Sequence, residues 1–600
     1  MIFFKGECPI QIQGPEIEQY LHTVEISTFT VSEYGEKLVF STNLNGKYNL
    51  WAMDLPNTFP YPLTSINQNS SLIHIDRKNH TIAATFENDG DENFQLHYLP
   101  LSGGKPIPFN EKEQQSTCYH ACFTQKHEMY YSANHDNPLL NIYKTDLKSN
   151  QTILIQKGEV APIVVAAVSP DGSAYIFTET YSNTHAAAFY QSTGGRVSMV
   201  PDSTIPHLIK DVRFYDNETV YFVTNYQEDF SYLASFSLST YEFQPVLKVE
   251  NEDMKAFKAH TGSLFIVTEK GVRDHLYQYD ITSEKMVFID SPCDLIKKIE
   301  LTVEGTLFAL GISAHRIDTI FKRKANGVWT QLTNNKVLGI SDESMIKPDV
   351  VRYPSFDGLS IEALLFKPAA EKANGCTILW PHGGPQNASR LKYRPLFQYL
   401  LQSGYAIFAP NFRGSTGYGA SFQRMVEQNW GDGPRLDCVA GLDWLIENGH
   451  TQKGKIVAMG GSYGGYMSLL LAGRHSEYFC AIVDIFGISN LLTFLENVPP
   501  SWRTLMDQMV GNPEKDYEKL VRDSPITYVE QMNKPMCILH GENDPRVKKE
   551  ESERIVDKLK EKGVYVEYLL FDDEGHGFSK KANEMEAYTR IRSFLDTVID

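Results

Sequence analysis

One segment carries most of the chemistry legible in this chain. Lys455-Ile-Val-Ala-Met-Gly-Gly-Ser-Tyr-Gly-Gly-Tyr-Met467 contains G-x-S-x-G, with Ser462 at its centre. An apolar strand pattern runs into it and a helical pattern runs out. That is the setting of a nucleophile elbow, in which a strained strand-to-helix turn lifts a serine hydroxyl clear of a sheet. The same turn aims the Tyr463 N–H and the start of the next helix at a developing oxyanion.

A serine hydroxyl is a poor nucleophile without a general base. On an elbow of this kind the acid and then the histidine follow the serine in chain order. Met536-Cys-Ile-Leu-His-Gly-Glu-Asn-Asp-Pro-Arg-Val547 is an apolar strand followed by a loop with two carboxylates, Glu542 and Asp544. Asp544 precedes a proline, which biases its backbone to extended geometry. Leu569-Leu-Phe-Asp-Asp-Glu-Gly-His-Gly-Phe578 is a second strand and loop, and it sets His576 between glycines. His576 follows Asp544 by 32 residues and Ser462 by 114. The expected chemistry is acyl transfer through an acyl-enzyme: His576 takes the Ser462 proton, and a carboxylate of the preceding loop, Asp544 or its rival Glu542, holds the imidazole tautomer.

Thr377-Ile-Leu-Trp-Pro-His-Gly-Gly-Pro385 ends a strand in an HGG loop. Such loops supply a second oxyanion N–H, here assigned to Gly384 beside that of Tyr463. His382 precedes the nucleophile, so holding the loop fits it better than acting as base.

These loops need a sheet to carry them. From about residue 345, apolar strands alternate with helical segments. Strands fit at Thr377–Trp380, Tyr405–Ala409, Lys455–Met459, Ala481–Asp484, Met536–Leu539 and Val564–Phe571. Helices fit near 391–403, 435–448, 464–474, 548–562 and 584–599. That alternation predicts a mostly parallel sheet covered on both faces, an α/β-hydrolase domain over 345–600.

The first half has a different grammar. Runs such as Lys37-Leu-Val-Phe-Ser-Thr-Asn43, Val220-Tyr-Phe-Val-Thr-Asn225 and Leu264-Phe-Ile-Val-Thr-Glu269 follow polar turns and precede a second, aromatic strand. About seven copies recur at roughly 40–47 residues, a β-propeller period. Stacked sandwiches are the alternative, but they lack so steady a period. The predicted propeller covers 21–340, and a segment 1–20 is left to pack on the hydrolase domain.

Bulk composition narrows the partners. The chain has 600 residues, 42% hydrophobic and 22% charged, with 32 Tyr and 33 Phe that suit strands. The net charge of −18 comes without a Lys/Arg cluster, which argues against nucleic acid. Eight cysteines sit partly in apolar runs and form no CxxC pair, so free thiols are expected and no zinc site. With no signal-like or membrane-spanning run, the expected location is the cytoplasm, with no membrane anchor. No metal or organic cofactor is implied.

Taken together, His382-Gly-Gly-Pro385, Asn411-Phe-Arg-Gly-Ser-Thr-Gly-Tyr-Gly419, Gly460-Gly-Ser-Tyr-Gly-Gly465, His540-Gly-Glu-Asn-Asp-Pro-Arg546 and Gly575-His-Gly577 resemble the prolyl oligopeptidase family of serine peptidases. The acylaminoacyl-peptidase branch looks closest. The resemblance spans the whole chain and implies action on short or N-acylated peptides, with the propeller restricting access. It implies that Asp544, not Glu542, is the triad acid, that Arg546 meets a substrate carbonyl and that Tyr418 lies near the site. A tyrosine hydroxyl of the matching loop serves the oxyanion in the dipeptidyl branch, and backbone N–H groups serve it in the acylaminoacyl branch. Family analogy also allows a homo-oligomer.

The dipeptidyl branch captures a free N-terminus with an acidic pair in the propeller. The cluster Glu87, Asp89, Asp91 and Glu92 reads as a solvated turn instead. Phe486, Phe494 and Trp502 follow the strand ending at Asp484 and fit either an apolar substrate pocket or the core. Two rival functions remain. One is a carboxylesterase on the same scaffold; the other is a propeller interaction protein with an inactive hydrolase half, against which the intact Ser462, Asp544 and His576 argue.

Overall fold

The computed structural model describes residues 15–76, 80–87, 93–109, 118–124, 126–134, 139–149, 151–324, 327–498 and 502–599. Residues 1–14 of the expected N-terminal segment lie outside them, as do Asp89, Asp91 and Glu92 of the acidic cluster.

Seven four-stranded antiparallel sheets follow one another along the chain, each built from consecutive strands. The first comprises Ile26–Val31, Lys37–Thr42, Asn49–Asp54 and Tyr61–Pro62; the seventh comprises Leu295–Leu301, Leu307–Ser313, Arg316–Arg323 and Trp329–Gln331. The repeated aromatic-rich runs are the second strands. Lys37–Thr42, Thr81–Phe86, Glu128–Ala133 and Thr219–Thr224 share one burial pattern, five buried residues after a half-buried one. Burial on both faces is what a blade between two neighbours imposes, and it explains why these runs do not alternate polar with apolar.

Apolar clusters bridge each neighbouring pair of blades. Val39, Leu50 and Ile82 join the first two, for example, and Phe265, Leu276 and Ile299 join the last two. The ring closes the same way. Phe29, Leu38 and Phe40 of the first blade pack on Phe308, Leu310 and Ile320 of the seventh. Lys298 Nζ donates to the Phe29 carbonyl at 2.6 Å across that seam. Among the described residues every sheet is made of consecutive strands, and none is exchanged between the first and seventh blades.

The catalytic half is one eight-stranded sheet. In spatial order its strands are Asp349–Pro354, Ser360–Phe366, Ala406–Pro410, Thr377–Leu379, Ile456–Gly461, Phe479–Ile485, Met536–Gly541 and Val566–Phe571. The first two pairings are antiparallel and the rest are parallel. The fold is thus a seven-bladed β-propeller followed by an α/β-hydrolase domain. Helices Gly433–Glu447, Tyr463–Arg474 and Glu550–Glu561 cover one face; Pro395–Gln402 and Lys581–Val598 cover the other. The helix expected from 391 starts at Pro395, because Arg394 is extended and proline suits the first helical position.

Contacts from several blades tie the halves together. Arg390 Nη2 donates to the buried Asp274 at 2.7 Å, and the Ala420 N–H donates to the Asp229 carbonyl at 2.8 Å. On the other side, Lys581 pairs with Glu25 at 3.0 Å. The short helix Ile17–Leu21 sits at this seam; the Tyr393 hydroxyl donates to the Tyr20 carbonyl at 3.1 Å.

Candidate active site

Strand Ile456–Gly461 delivers Ser462 to the carboxyl edge of the sheet, and helix Tyr463–Arg474 begins at the next residue. Ser462 takes φ 57° and ψ −122°, a backbone conformation that costs a non-glycine residue energy. Its surroundings admit the turn only because they lack side chains. A Cβ on Gly460 would lie 2.5 Å from the Gly464 carbonyl, and one on Gly464 would lie 2.2 Å from that of Pro381.

His576 meets Ser462 through Nε2, 2.9 Å from Oγ, and meets Asp544 through Nδ1, 2.6 Å from Oδ2. An ionised carboxylate only accepts, so Nδ1 carries a proton and Nε2 of the neutral ring is left to accept from the hydroxyl. The structure therefore brings together the three residues singled out in the sequence.

Asp544 is only 2% exposed. Burial alone would raise its pKa. The His576 hydrogen bond and charge, with the N–H groups of Val547 (2.9 Å) and Arg546 (2.8 Å) on Oδ1, overcome that and hold the carboxyl below its usual range. Glu542, the rival acid, is exposed and pairs with Lys549 at 2.8 Å.

Two buried residues that the sequence left without a role shape these loops. His540 Nε2 donates to the Val547 carbonyl at 2.9 Å, and its Nδ1 accepts from Ser552 Oγ at 2.7 Å. Burial lowers its pKa, so it braces the Asp544 loop as a neutral ring. Glu574 braces the histidine loop. Its carboxylate accepts from the Ser579 N–H (2.8 Å), Ser579 Oγ (2.7 Å), the Lys580 N–H (3.0 Å) and Asn583 Nδ2 (2.8 Å). The signal was present, since both residues stand in motifs already noted, but only the folded loops reveal their partners.

The HGG loop lies across from the elbow. A Cβ on Gly383 would sit 3.5 Å from Ser462 Cβ, so the loop backbone closes directly on the nucleophile. Tyr463 opens its helix, and its N–H has no acceptor within that helix. His382 is buried, stacks on Phe412 at 4.1 Å and bonds Ser415 Oγ at 2.8 Å. Burial pushes its pKa down to about 4, which suits a loop brace.

The residues expected to meet substrate are dispersed. Phe486 has φ 46° and packs on the His576 ring at 4.6 Å. Arg546 is exposed beside the Asp544 loop. Trp502 is half-buried against the hydrolase core, and Phe494 is buried within it near Trp430. The Tyr418 hydroxyl donates to Glu362 at 3.0 Å and accepts from Asn411 at 2.8 Å. Its one O–H is thereby committed to Glu362 and not offered to an oxyanion. Among the described residues no cluster is arranged to hold a metal ion, and no helix is long and apolar enough to cross a membrane.

A relay of this geometry on an α/β-hydrolase sheet, under a seven-bladed propeller, defines a class: propeller-capped serine hydrolases. Residues 392–600, about a third of the chain, match the model of the prolyl oligopeptidase family, and the chain is a serine peptidase whose hydrolase domain is similar to that family. It is 27% identical over 611 residues to dipeptidyl aminopeptidase BIII of Pseudoxanthomonas mexicana, covering 95% of this chain and 86% of that protein. It is 30% identical over 241 residues to the acylamino-acid-releasing enzyme of Arabidopsis thaliana, covering 38% of this chain and 32% of that one. The crystal structure of puromycin hydrolase superposes with a TM-score of 0.86 at 16% identity, over 98% of this chain and 96% of that chain, a likeness of fold.

Proposed function

We propose that the chain hydrolyses short peptides through an acyl-enzyme on Ser462, in the manner of an acylaminoacyl peptidase. The reading rests on the hydrogen bonds of 2.9 Å and 2.6 Å that join Ser462, His576 and Asp544. His576 takes the serine proton during attack and returns it to the leaving amine, and Asp544 stabilises the imidazolium between those steps. The N–H groups of Tyr463 and Gly384 serve the oxyanion. No cofactor takes part. Cytoplasmic action on soluble peptides is part of the same proposal.

A second reading, removal of dipeptides from a free N-terminus, is favoured by one observation. Glu427 stands near the oxyanion loop with neutral partners, Thr184 Oγ1 at 2.6 Å and Gln386 Nε2 at 3.2 Å, and Gln386 directly follows the HGGP motif. A carboxylate held this way can receive an ammonium group. The full-length similarity to a dipeptidyl aminopeptidase points the same way.

Wild type and Ser462→Ala, given N-acetyl-aminoacyl, free dipeptidyl and aryl ester substrates, separate these readings. Cleavage by wild type alone, with acetylated anilides preferred, supports the first; free dipeptidyl anilides preferred supports the second. Ester turnover with no amide cleavage would leave a carboxylesterase.

A further inference from the structure

Beside His576 lies a cavity of about 370 Å³, between the segment leading into the first blade, the seventh blade and the hydrolase domain. It reaches the site through Gly461, Phe486 and Gly577, neighbours of Ser462 and His576 in chain or space. General-acid chemistry fixes which part of a substrate faces this side. The histidine hands its proton to the leaving amine, so the space next to it receives the leaving peptide.

The cavity is lined by three carboxylates and three cations, but they are not paired one to one. Glu25 is satisfied by Lys581 at 3.0 Å and the Tyr48 hydroxyl at 2.8 Å. Asp318 is satisfied by Lys297 at 3.0 Å. Glu584 is satisfied by Lys581 at 3.3 Å and the Tyr588 hydroxyl at 3.0 Å. Lys392 and Arg394 also line the space, and neither forms an ion pair with any described residue. The Arg394 guanidinium lies over the rings of Trp380 and Phe397, at 5.8 and 5.4 Å. That packing fixes the plane of the group without neutralising it.

A helix end adds to this. Arg394 is the N-cap of Pro395–Gln402 and gives no side-chain cap, so the first turn, whose residues line the cavity, presents the positive end of the helix to it. Burial lowers the pKa of both cations, and their mutual repulsion lowers that of Lys392 further. An anion between them would relieve both effects.

We infer that this cavity binds the C-terminal carboxylate of the leaving peptide through Lys392 and Arg394, an inference that rests on the triad proposed above. A planar guanidinium and an ammonium together suit a carboxylate, and the aromatic rings of Trp380, Phe486 and Phe578 take the side chains before it. The enzyme then measures the distance from the scissile bond to the free C-terminus. It favours peptides that end within the cavity over chains that continue through it.

The test uses tetra-alanine as the free acid and as the C-terminal amide. Calorimetry on the full-length Ser462→Ala protein should show the acid binding at least tenfold tighter. That difference should vanish when Lys392→Gln and Arg394→Gln are added. The same pair of changes, made in the active protein, should leave fluorophosphonate labelling of Ser462 at its wild-type rate, which shows that the elbow still folds. Equal binding of acid and amide, binding of neither, or a preference that survives the double change would each overturn the inference. Failure of the wild-type protein to label would instead sink the triad, whatever the peptides do.

Discussion

The propeller and the hydrolase domain bury polar groups in opposite ways. In the propeller they are spread around the ring. Ser132 Oγ accepts from the Val165 N–H of the next blade at 2.8 Å, and Asn141 Oδ1 accepts from the Gly158 N–H at 3.0 Å. Ser41, Thr224 and Thr268 are likewise buried in second strands of other blades. In the hydrolase domain Asp544, His540, His382 and Glu574 gather at the carboxyl edge of one sheet, and each fixes a loop that touches Ser462 or His576. Distributed polar burial sets the spacing between repeats. Concentrated polar burial sets one imidazole tautomer. Damage to the first should cost stability, and damage to the second should cost rate.

That contrast is easiest to break at His576. His576→Ala should lower kcat by about 10⁶-fold with the Tm nearly unchanged, because the ring is spent on chemistry. Asp544→Asn should cost about 10⁴-fold by presenting the wrong tautomer. The Asp544 carboxyl is held below its usual range and stays ionised through mild acid, so it remains an acceptor for Nδ1 there.

Phe308→Ala sharpens the opposite half of the comparison. Phe308 is fully buried in the seam that closes the ring, and its loss should destabilise the protein by about 3–5 kcal/mol. The kcat of the folded fraction should hold. A fall in kcat without a fall in Tm would show that the seam serves the chemistry.

An effect no larger at neutral pH, and vanishing toward pH 4, is expected beneath the elbow. Asp484 accepts from the Gly487 N–H at 2.9 Å through Oδ1, and Oδ2 has no partner among the described residues. Burial pushes its pKa up to about 7. The unfolded carboxyl ionises near ~3.9, so between these values the unfolded state holds fewer protons, and stability falls as pH rises. Asp484→Asn should remove that slope. Its stability advantage should widen from about pH 4 to about pH 7, by on the order of 1 kcal/mol per pH unit, seen as a growing Tm difference, and stay level above. An advantage that is constant with pH would mean that the carboxyl ionises normally.

How much of this was legible in the sequence depended on whether the signal was local. The elbow was legible because Gly460, Ser462 and Gly464 act within one turn, and the blades because each repeats the same buried second strand. Sequence order singled out His576, and the family resemblance singled out Asp544 over Glu542, while their 2.6 Å contact is a property of the fold. What stayed hidden joins distant segments. The engagement of Tyr418 by Glu362 spans 56 residues, and the approach of Thr184 to Glu427 spans 243. The aromatic insert read equally well as pocket or core, because Phe486 and Phe494 differ only in what packs on them. Phe486 has the His576 ring beside it, and Phe494 has Trp430.

The most direct measurement of the central claim is to label the wild-type protein with a fluorophosphonate and map the modified peptide by mass spectrometry. The account requires a single adduct on Ser462, absent from His576→Ala under the same conditions and accompanied by loss of peptide cleavage. An adduct elsewhere, or full peptidase activity after Ser462 is blocked, would contradict it.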